Sequence, residues 1–430
     1  MITAMAMVRV LYAQETVAVA SVKEACELAR TNNPDLEVFR LQEESARMAR
    51  KAAKSYRLPT LAASFSGQDN RTLATTPLPG EIFGQPGEVV NAQFGQPYTY
   101  NAGITLSKSM LDISARTQAK MAGVEVDLQS ANTAAYHQQL IQQTSWYYYA
   151  LLISNKALIL HEQDVQLADS ILMISDQKRQ QGLINESSYL QARILANNAR
   201  ENLSQTEARN VEYELQLKLL LGMDIDKTLD LQEELLPQST DDLKLDMGFD
   251  QSLQVNQVES QLADLKVKQQ KAAFLPKFSF ESYWGQQQFR DDFGMSFDAA
   301  DWSGFSYLGL SVNVPIFTGL SNKHQLKVAK IDQQMAASRL ENNQRASYFQ
   351  DEVVLRQFIG SRDRVKFTGE NFELYQQNTQ LSLQQYEEGL IGLDEYLTRF
   401  EDMLKAEQAY LNALNTMYSY YATILSRQAS

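Results

Sequence analysis

Gln181-Gly182-Leu183-Ile184, followed by Tyr189-Leu190, returns in the second half of the chain as Glu388-Gly389-Leu390-Ile391, followed by Tyr396-Leu397. The internal spacing is the same in both copies. A glycine set between long glycine-poor stretches marks a turn, because glycine adopts backbone angles that other residues resist. Two such turns, about half a chain apart, point to duplication of a whole module rather than to the short repeats of a solenoid.

Working outward, fainter echoes keep the same order. Leu36-Glu37-Val38 and Ala46 return as Leu253-Gln254-Val255 and Ala263, and Leu58-Pro59 returns as Leu275-Pro276. Ala102-Gly103-Ile104 returns as Leu308-Gly309-Leu310. Each module begins with a helix, over 21–57 and 249–274, that a Leu-Pro step ends, since proline disfavours helix in the residue before it. Two alternating segments follow, and then a very long helix, over 113–180 and 320–386. The turns at 181–185 and 388–392 lead into return helices over 186–221 and 393–426. The modules are therefore 15–221 and 249–430, joined by an acidic connector, 222–248, that contains Pro237. Residues 1–14 end in Leu11-Tyr12-Ala13-Gln14 and resemble the remnant of a signal peptide, without a basic start and with Arg9 inside the apolar run.

The long helices set a length. The stretch 113–180 holds no proline and only Gly123 as a weak point. At about 1.5 Å per residue it spans roughly 100 Å, wider than a compact domain. In the last helix Leu393, Leu397, Phe400, Leu404, Leu411, Leu414, Tyr418 and Tyr421 follow three-four spacing, with Glu407 as the one interruption. That is a coiled-coil seam rather than a broad globular face. Trp146-Tyr147-Tyr148-Tyr149 covers every side of the first long helix, so some of these rings must pack between helices.

Four segments alternate with period two, about 60–68, 98–108, 277–285 and 305–314. Each has one apolar and one polar side, as a half-buried strand does. Taken singly they suit a soluble sheet. As a set they suit a membrane barrel with a wet lumen, and Tyr98, Tyr100, Trp284 and Tyr307 near their ends suit an interfacial belt. Four strands cannot close around a wet lumen, and an open edge is not tolerated in lipid, so this reading requires several copies of the chain. The intervening stretches 70–96 and 286–304 read as exposed loops.

Composition excludes several classes. The chain has 430 residues and a net charge of −13, so nucleic acid is a poor partner. Mean hydropathy is −0.36, and no run of about 18 apolar residues forms a transmembrane helix. Cys26 is the one cysteine, so no intrachain disulfide forms. His137, His161 and His324 lack metal-ligand spacing, and no nucleophile motif or phosphate loop is present; no enzyme activity, metal or cofactor is expected. Two readings stay open on the residues alone, an export channel and a soluble periplasmic coiled-coil scaffold or adaptor protein.

The order of elements, the paired turns, Asn33-Pro34, Leu58-Pro59, Val314-Pro315-Ile316-Phe317 with Thr318-Gly319, and Gly389-Leu390-Ile391 together resemble the TolC family of outer-membrane efflux proteins. The resemblance runs from about Ser21 to Arg427. It implies a mostly α fold with a small membrane β-barrel contribution: four strands per protomer, a homotrimer with a twelve-stranded barrel, and an α-helical periplasmic tunnel. It implies an outer-membrane channel serving as the exit duct of a tripartite efflux or type I secretion system. Its partners would be outer-membrane lipid, a periplasmic adaptor (a membrane fusion protein) and, through it, an inner-membrane transporter. Gly182, Leu183, Ile184, Gly389, Leu390 and Ile391 would then form an exposed tip for adaptor docking. Asp394 and Glu395 would approach the axis as a pore constriction; Glu395 falls where the family can carry a gate acid, while Thr398 departs from the pattern at a second such position. The cargo, whether drug, metal ion or protein, is not written in the sequence.

Overall fold

The computed structural model describes residues 16–84, 86–235 and 247–428. The signal-like segment 1–14 and the Pro237 stretch of the connector lie outside them. The first half runs β1 (Thr16–Val19), α1 (Val22–Asn32), α2 (Asp35–Lys54), β2 (Thr60–Asp69), β3 (Thr75–Pro79), β4 (Val89–Gln93), β5 (Tyr98–Leu111), α3 (Ile113–Gln180) and α4 (Glu186–Leu220). The second half runs β6 (Thr228–Leu231), α5 (Gln251–Ala272), β7 (Lys277–Arg290), β8 (Ser303–Asn313), α6 (Ser321–Glu387) and α7 (Leu393–Gln428). Two compact units result, and each draws on both halves of the chain. One comprises residues up to 43, 128–257 and 339–430; the other comprises 44–127 and 258–338.

The second unit holds an antiparallel sheet in the order β2-β5-β7-β8. Its central pairing joins the two modules, with Gly103 opposite Gly285 and Thr105 opposite Tyr283. Because side chains alternate across a strand, the register sorts the sheet into two faces. Leu61, Ile104, Trp284 and Leu308 lie on one face; Ser64, Asn101, Thr105, Glu281 and Ser311 lie on the other. β5 and β7 are 14 residues each, longer than their apolar alternation suggests. β5 extends through 109–111, and β7 through Gln286, Gln287 and Gln288, where backbone pairing continues after the hydrophobic pattern has stopped.

Two sequence expectations need correction. The first helix is not continuous over 21–57. Pro34 has no N–H to donate, so the chain breaks there and α2 restarts at Asp35. Buried Asn33 stitches the break: its Nδ2 donates to the Leu220 carbonyl at 3.0 Å, and its Oδ1 accepts from Asp35 N and the Tyr136 hydroxyl, both at 3.0 Å. Nor are there only four strands. The loop 70–96 carries its own hairpin, β3 with β4, and the connector contributes β6, which pairs in parallel with β1. At four or five residues each, these strands are too short for periodicity to reveal.

The first unit is held by two apolar clusters. One gathers Tyr148, Tyr149, Leu217, Phe358, Leu414, Tyr418 and Ile424. The other, next to the turns, gathers Ile171, Leu195, Phe372, Tyr386, Tyr396 and Phe400. The seam of α7 is the common element: Leu393, Leu397, Phe400, Leu411, Leu414, Tyr418 and Tyr421 are all buried. Within the aromatic run, Tyr148 and Tyr149 enter the core, where Tyr149 stacks on Tyr418 with ring centroids 4.2 Å apart. Trp146 stays partly exposed and meets Tyr213 edge-on. Cys26 is a buried core side chain beside Ser145. At the end of α7, Arg427 pairs with Asp250 at 2.9 Å and with Asp351 at 3.4 Å, tying α7 to the start of α5 and to α6.

Candidate functional site

The two turns have the same backbone geometry. Gly182 and Gly389 both lie in the left-handed region, with φ 73° and 76°. After α3, Gly182 N donates to Arg179 O and Leu183 N to Lys178 O; after α6, Gly389 N donates to Tyr386 O and Leu390 N to Gln385 O. Both are Schellman ends, in which the glycine lets the chain curl back onto carbonyls the helix leaves unpaired. Asn185 then starts α4 by accepting from Ser188 N at 2.8 Å.

The expected apolar tip is only half exposed. Leu183 and Leu390 stand out, 67% and 70% accessible. Ile184 and Ile391 instead fold back onto the adjacent apolar cluster. Successive side chains of so short a turn point alternately outward and inward, so one of each pair must pack. Lys178 Nζ lies 3.9 Å from the centre of the Tyr386 ring, linking the two turns through a cation–π contact. Arg179 pairs with Asp176 at 2.8 Å and with Glu186 at 3.3 Å across the first turn.

Asp394 and Glu395 are both exposed in the first turn of α7. Glu395 does not stand as a bare acid. It accepts from Arg399 one turn later, and Arg399 also donates to Asn378 at 3.3 Å and Ser382 at 3.2 Å on α6. Thr398 turns its hydroxyl onto the Asp394 carbonyl at 2.9 Å, a local helix contact.

A polar node escaped the sequence reading. Glu407, the interruption in the α7 seam, is only 2% exposed, and its Oε1 lies 3.3 Å from His161 Nε2 on α3. His161 Nδ1 meets the Thr206 hydroxyl on α4 at 2.9 Å. Asp164, one turn along α3, is 6% exposed and lines a cavity of about 210 Å³ together with Glu407. Burial, and then the Glu407 charge, push the Asp164 carboxyl up to about 8. The available signal was a carboxylate on a seam position together with His161 and Asp164 three apart; their meeting depends on how α3 lies against α7. Among the described residues no group of His, Cys, Asp and Glu is arranged to hold a metal ion. No helix there is long and apolar enough to cross a membrane.

Duplicated hairpins joined to an open, two-faced sheet form a combination that can be compared with known proteins. The family model described as outer membrane efflux protein matches residues 25–223 and 249–426, one segment for each module. The chain belongs to the outer membrane efflux protein family. The family comprises channels rather than enzymes, and it places the protein in the outer membrane. A search of the curated proteins finds no match. Among solved structures, the efflux protein is similar to the Campylobacter jejuni CmeC outer membrane channel, at 19% identity and a TM-score of 0.76, over 94% of this chain and 85% of that one. It is similar to the Vibrio cholerae outer membrane protein VceC, at 16% identity and 0.72, over 94% of each chain. It is also similar to the open state of the Neisseria gonorrhoeae MtrE outer membrane channel, at 20% identity and 0.69, over 94% and 88%. At these identities the likeness is one of fold.

Proposed function

We propose that this efflux protein is one protomer of a homotrimeric outer-membrane channel, the passive exit duct of a tripartite efflux system. The open edge of its membrane sheet carries the reading. β2 and β8 each pair on one side only, and an unpaired edge has no partner in hydrocarbon. Three chains of four strands supply twelve, enough for a closed barrel around a polar lumen. Exposed apolar residues on α6, among them Tyr348, Phe349, Phe367 and Leu374, fit further contact between copies.

In this arrangement the modules 15–221 and 249–430, with the connector 222–248, together make one third of the wall. The helices extend on the periplasmic side. The stretches 70–97 and 291–302, at the other ends of the strands, face the exterior. The tip of Gly182, Leu183, Ile184, Gly389, Leu390 and Ile391 meets a periplasmic adaptor, which couples the duct to an inner-membrane transporter. Leu183 and Leu390 are the contact side chains, and the two glycines and two isoleucines hold them outward. Asp394 and Glu395 ring the periplasmic end as a constriction, with Arg399 balancing Glu395.

Detergent extraction followed by mass measurement tests the trimer. The expected particle is three times 48.7 kDa plus detergent. A monodisperse monomer that stays in solution without detergent refutes the proposal.

A further inference from the structure

We propose that the polar face of the membrane sheet carries a binding platform for organic cations bearing a flat aromatic ring, built by Tyr283, Phe305 and Tyr307 with Glu281 at its edge. The inference rests on the channel reading above, in which this face lines the lumen.

The platform departs from its surroundings. Across β2, β5, β7 and β8, the positions on this face are mostly Ser, Thr, Asn, Gln and Gly. In their midst Tyr283 sits directly opposite Tyr307, which the register places on this face rather than in an interfacial belt with Tyr98, Tyr100 and Trp284, and Phe305 sits opposite Gly285. The three ring centroids are 5.6–5.8 Å apart, and the two tyrosine planes differ by only 19°. Ordinary burial does not account for the cluster: Phe305 is 51% exposed and Tyr307 42%.

Two glycines make room for the cluster. A Cβ placed on Gly103 would stand 2.4 Å from Tyr283 Cζ, and one on Gly285 would stand 2.3 Å from its hydroxyl. The Tyr283 ring therefore lies down along the sheet, across glycine positions in the neighbouring row. Flat on the backbone, it presents a π face where an upright ring would present an edge. Covering glycine also stabilises a sheet. That role requires Tyr283 alone and leaves Phe305 and Tyr307 unexplained.

Charge selects the ligand. Glu281 Oε1 accepts from the Tyr307 hydroxyl at 2.6 Å, a neutral donor. Lys277, four residues earlier on β7, pairs instead with Asp112 at 3.4 Å. Among the described residues Glu281 has no ion-pair partner, and its carboxylate stands at the Tyr307 edge of the ring cluster. Ring quadrupoles and a carboxylate attract the same species, a cation, and the ring faces add stacking for a planar group. An anion of the same shape is repelled by both.

The test is titration of the detergent-solubilised trimer with benzyltriethylammonium, followed by calorimetry and by the ring-proton shifts of the probe. Benzenesulfonate serves as the anionic control. The expected result is one site per protomer for the cation, with upfield ring shifts, and none for the sulfonate. Glu281→Gln is expected to weaken binding roughly 5-fold, and Phe305→Ser with Tyr307→Ser roughly 5–30-fold, the range of one to several cation–π contacts. Tyr307→Phe keeps the ring and releases the carboxylate, so it is expected to bind at least as well as the parent. Equal affinity in the parent, Glu281→Gln and the double variant overturns the platform, as does equal binding of the sulfonate. A preparation that is not trimeric refutes the channel reading instead. Trimer mass and helical circular dichroism of each variant separate loss of binding from loss of fold.

Discussion

Replacing Asp164 with Asn should change how the stability of the protein depends on pH. In the folded chain the Asp164 carboxyl is pushed up to about 8, far above the usual carboxylate range, first because it is buried and then because Glu407 is close. A carboxyl raised on folding binds its proton more tightly in the folded state. Between about pH 4 and 8 the folded protein therefore holds more protons than the unfolded chain, and this group lowers stability as pH rises through that window. At about 1.4 kcal/mol per unit, the window is worth at most about 6 kcal/mol per protomer. Relaxation around a buried pair reduces this, and an effect of about 2–4 kcal/mol is expected. The groups nearest Asp164 make it the site to change: His161 and Glu407 are the ionisable neighbours, while α6 contributes Gln376, Thr379 and Gln380 to the same cavity. The assay is denaturant unfolding of the detergent-solubilised protein, followed by helical circular dichroism at pH 5 and pH 8.5. Other groups titrate over the same range, so the measured quantity is the difference between parent and variant. About a quarter of that difference should be present at pH 5, and at pH 8.5 it should favour Asn by about 2–4 kcal/mol. A difference that stays constant with pH, or that favours Asp at pH 8.5, would falsify the assignment.

Further outcomes follow from the turns, the helix break and the tip. Gly182→Ala with Gly389→Ala forces two side chains into the left-handed region, at a cost of about 1–2 kcal/mol each, read as a lower unfolding midpoint with the trimer mass unchanged. Asn33→Ala removes partners from the Leu220 carbonyl and the Tyr136 hydroxyl and should cost about 1–3 kcal/mol in the same measurement. Gly248→Ala should be more damaging, because its Cβ would stand 1.9 Å from the Arg427 carbonyl oxygen; poor recovery of folded protein is the expected readout. Leu183→Asp with Leu390→Asp should leave the trimer and its midpoint unchanged but abolish crosslinking to a periplasmic adaptor, since both side chains are exposed.

Much of this architecture is legible in one dimension because its signals are local. Each turn is announced by a glycine between long helical runs, and α3 ends at Gln180 as the spacing predicts. The α7 seam follows from residues three and four apart on one helix, and the strands from alternation along each segment. The same rule shows why β1 and β6 were missed: four residues carry no readable period, and their pairing joins Thr16 to Thr228 across most of the first module. Asn33-Pro34 could be seen as a motif, but that Asn33 stitches α2 to Leu220 and Tyr136 could not. The exposure of the turns was half legible, since composition marks Leu and Ile alike and only packing separates them.

The sequence by itself determined a duplicated, mostly helical chain with four long alternating strands, no membrane-crossing helix among its patterns, and two glycine turns. These depend on periodicity and backbone permission, which neighbouring residues impose on one another. The tertiary structure alone decided which side chains meet. It brought Glu407, an apparent flaw in a seam, against His161 and close to Asp164. It divided each turn into an exposed leucine and a packed isoleucine, and it laid Tyr283 across Gly103 and Gly285. The physical reason is common to all three: burial and electrostatics act through space, and a chain read along its length does not specify which distant segments will share a low-dielectric interior.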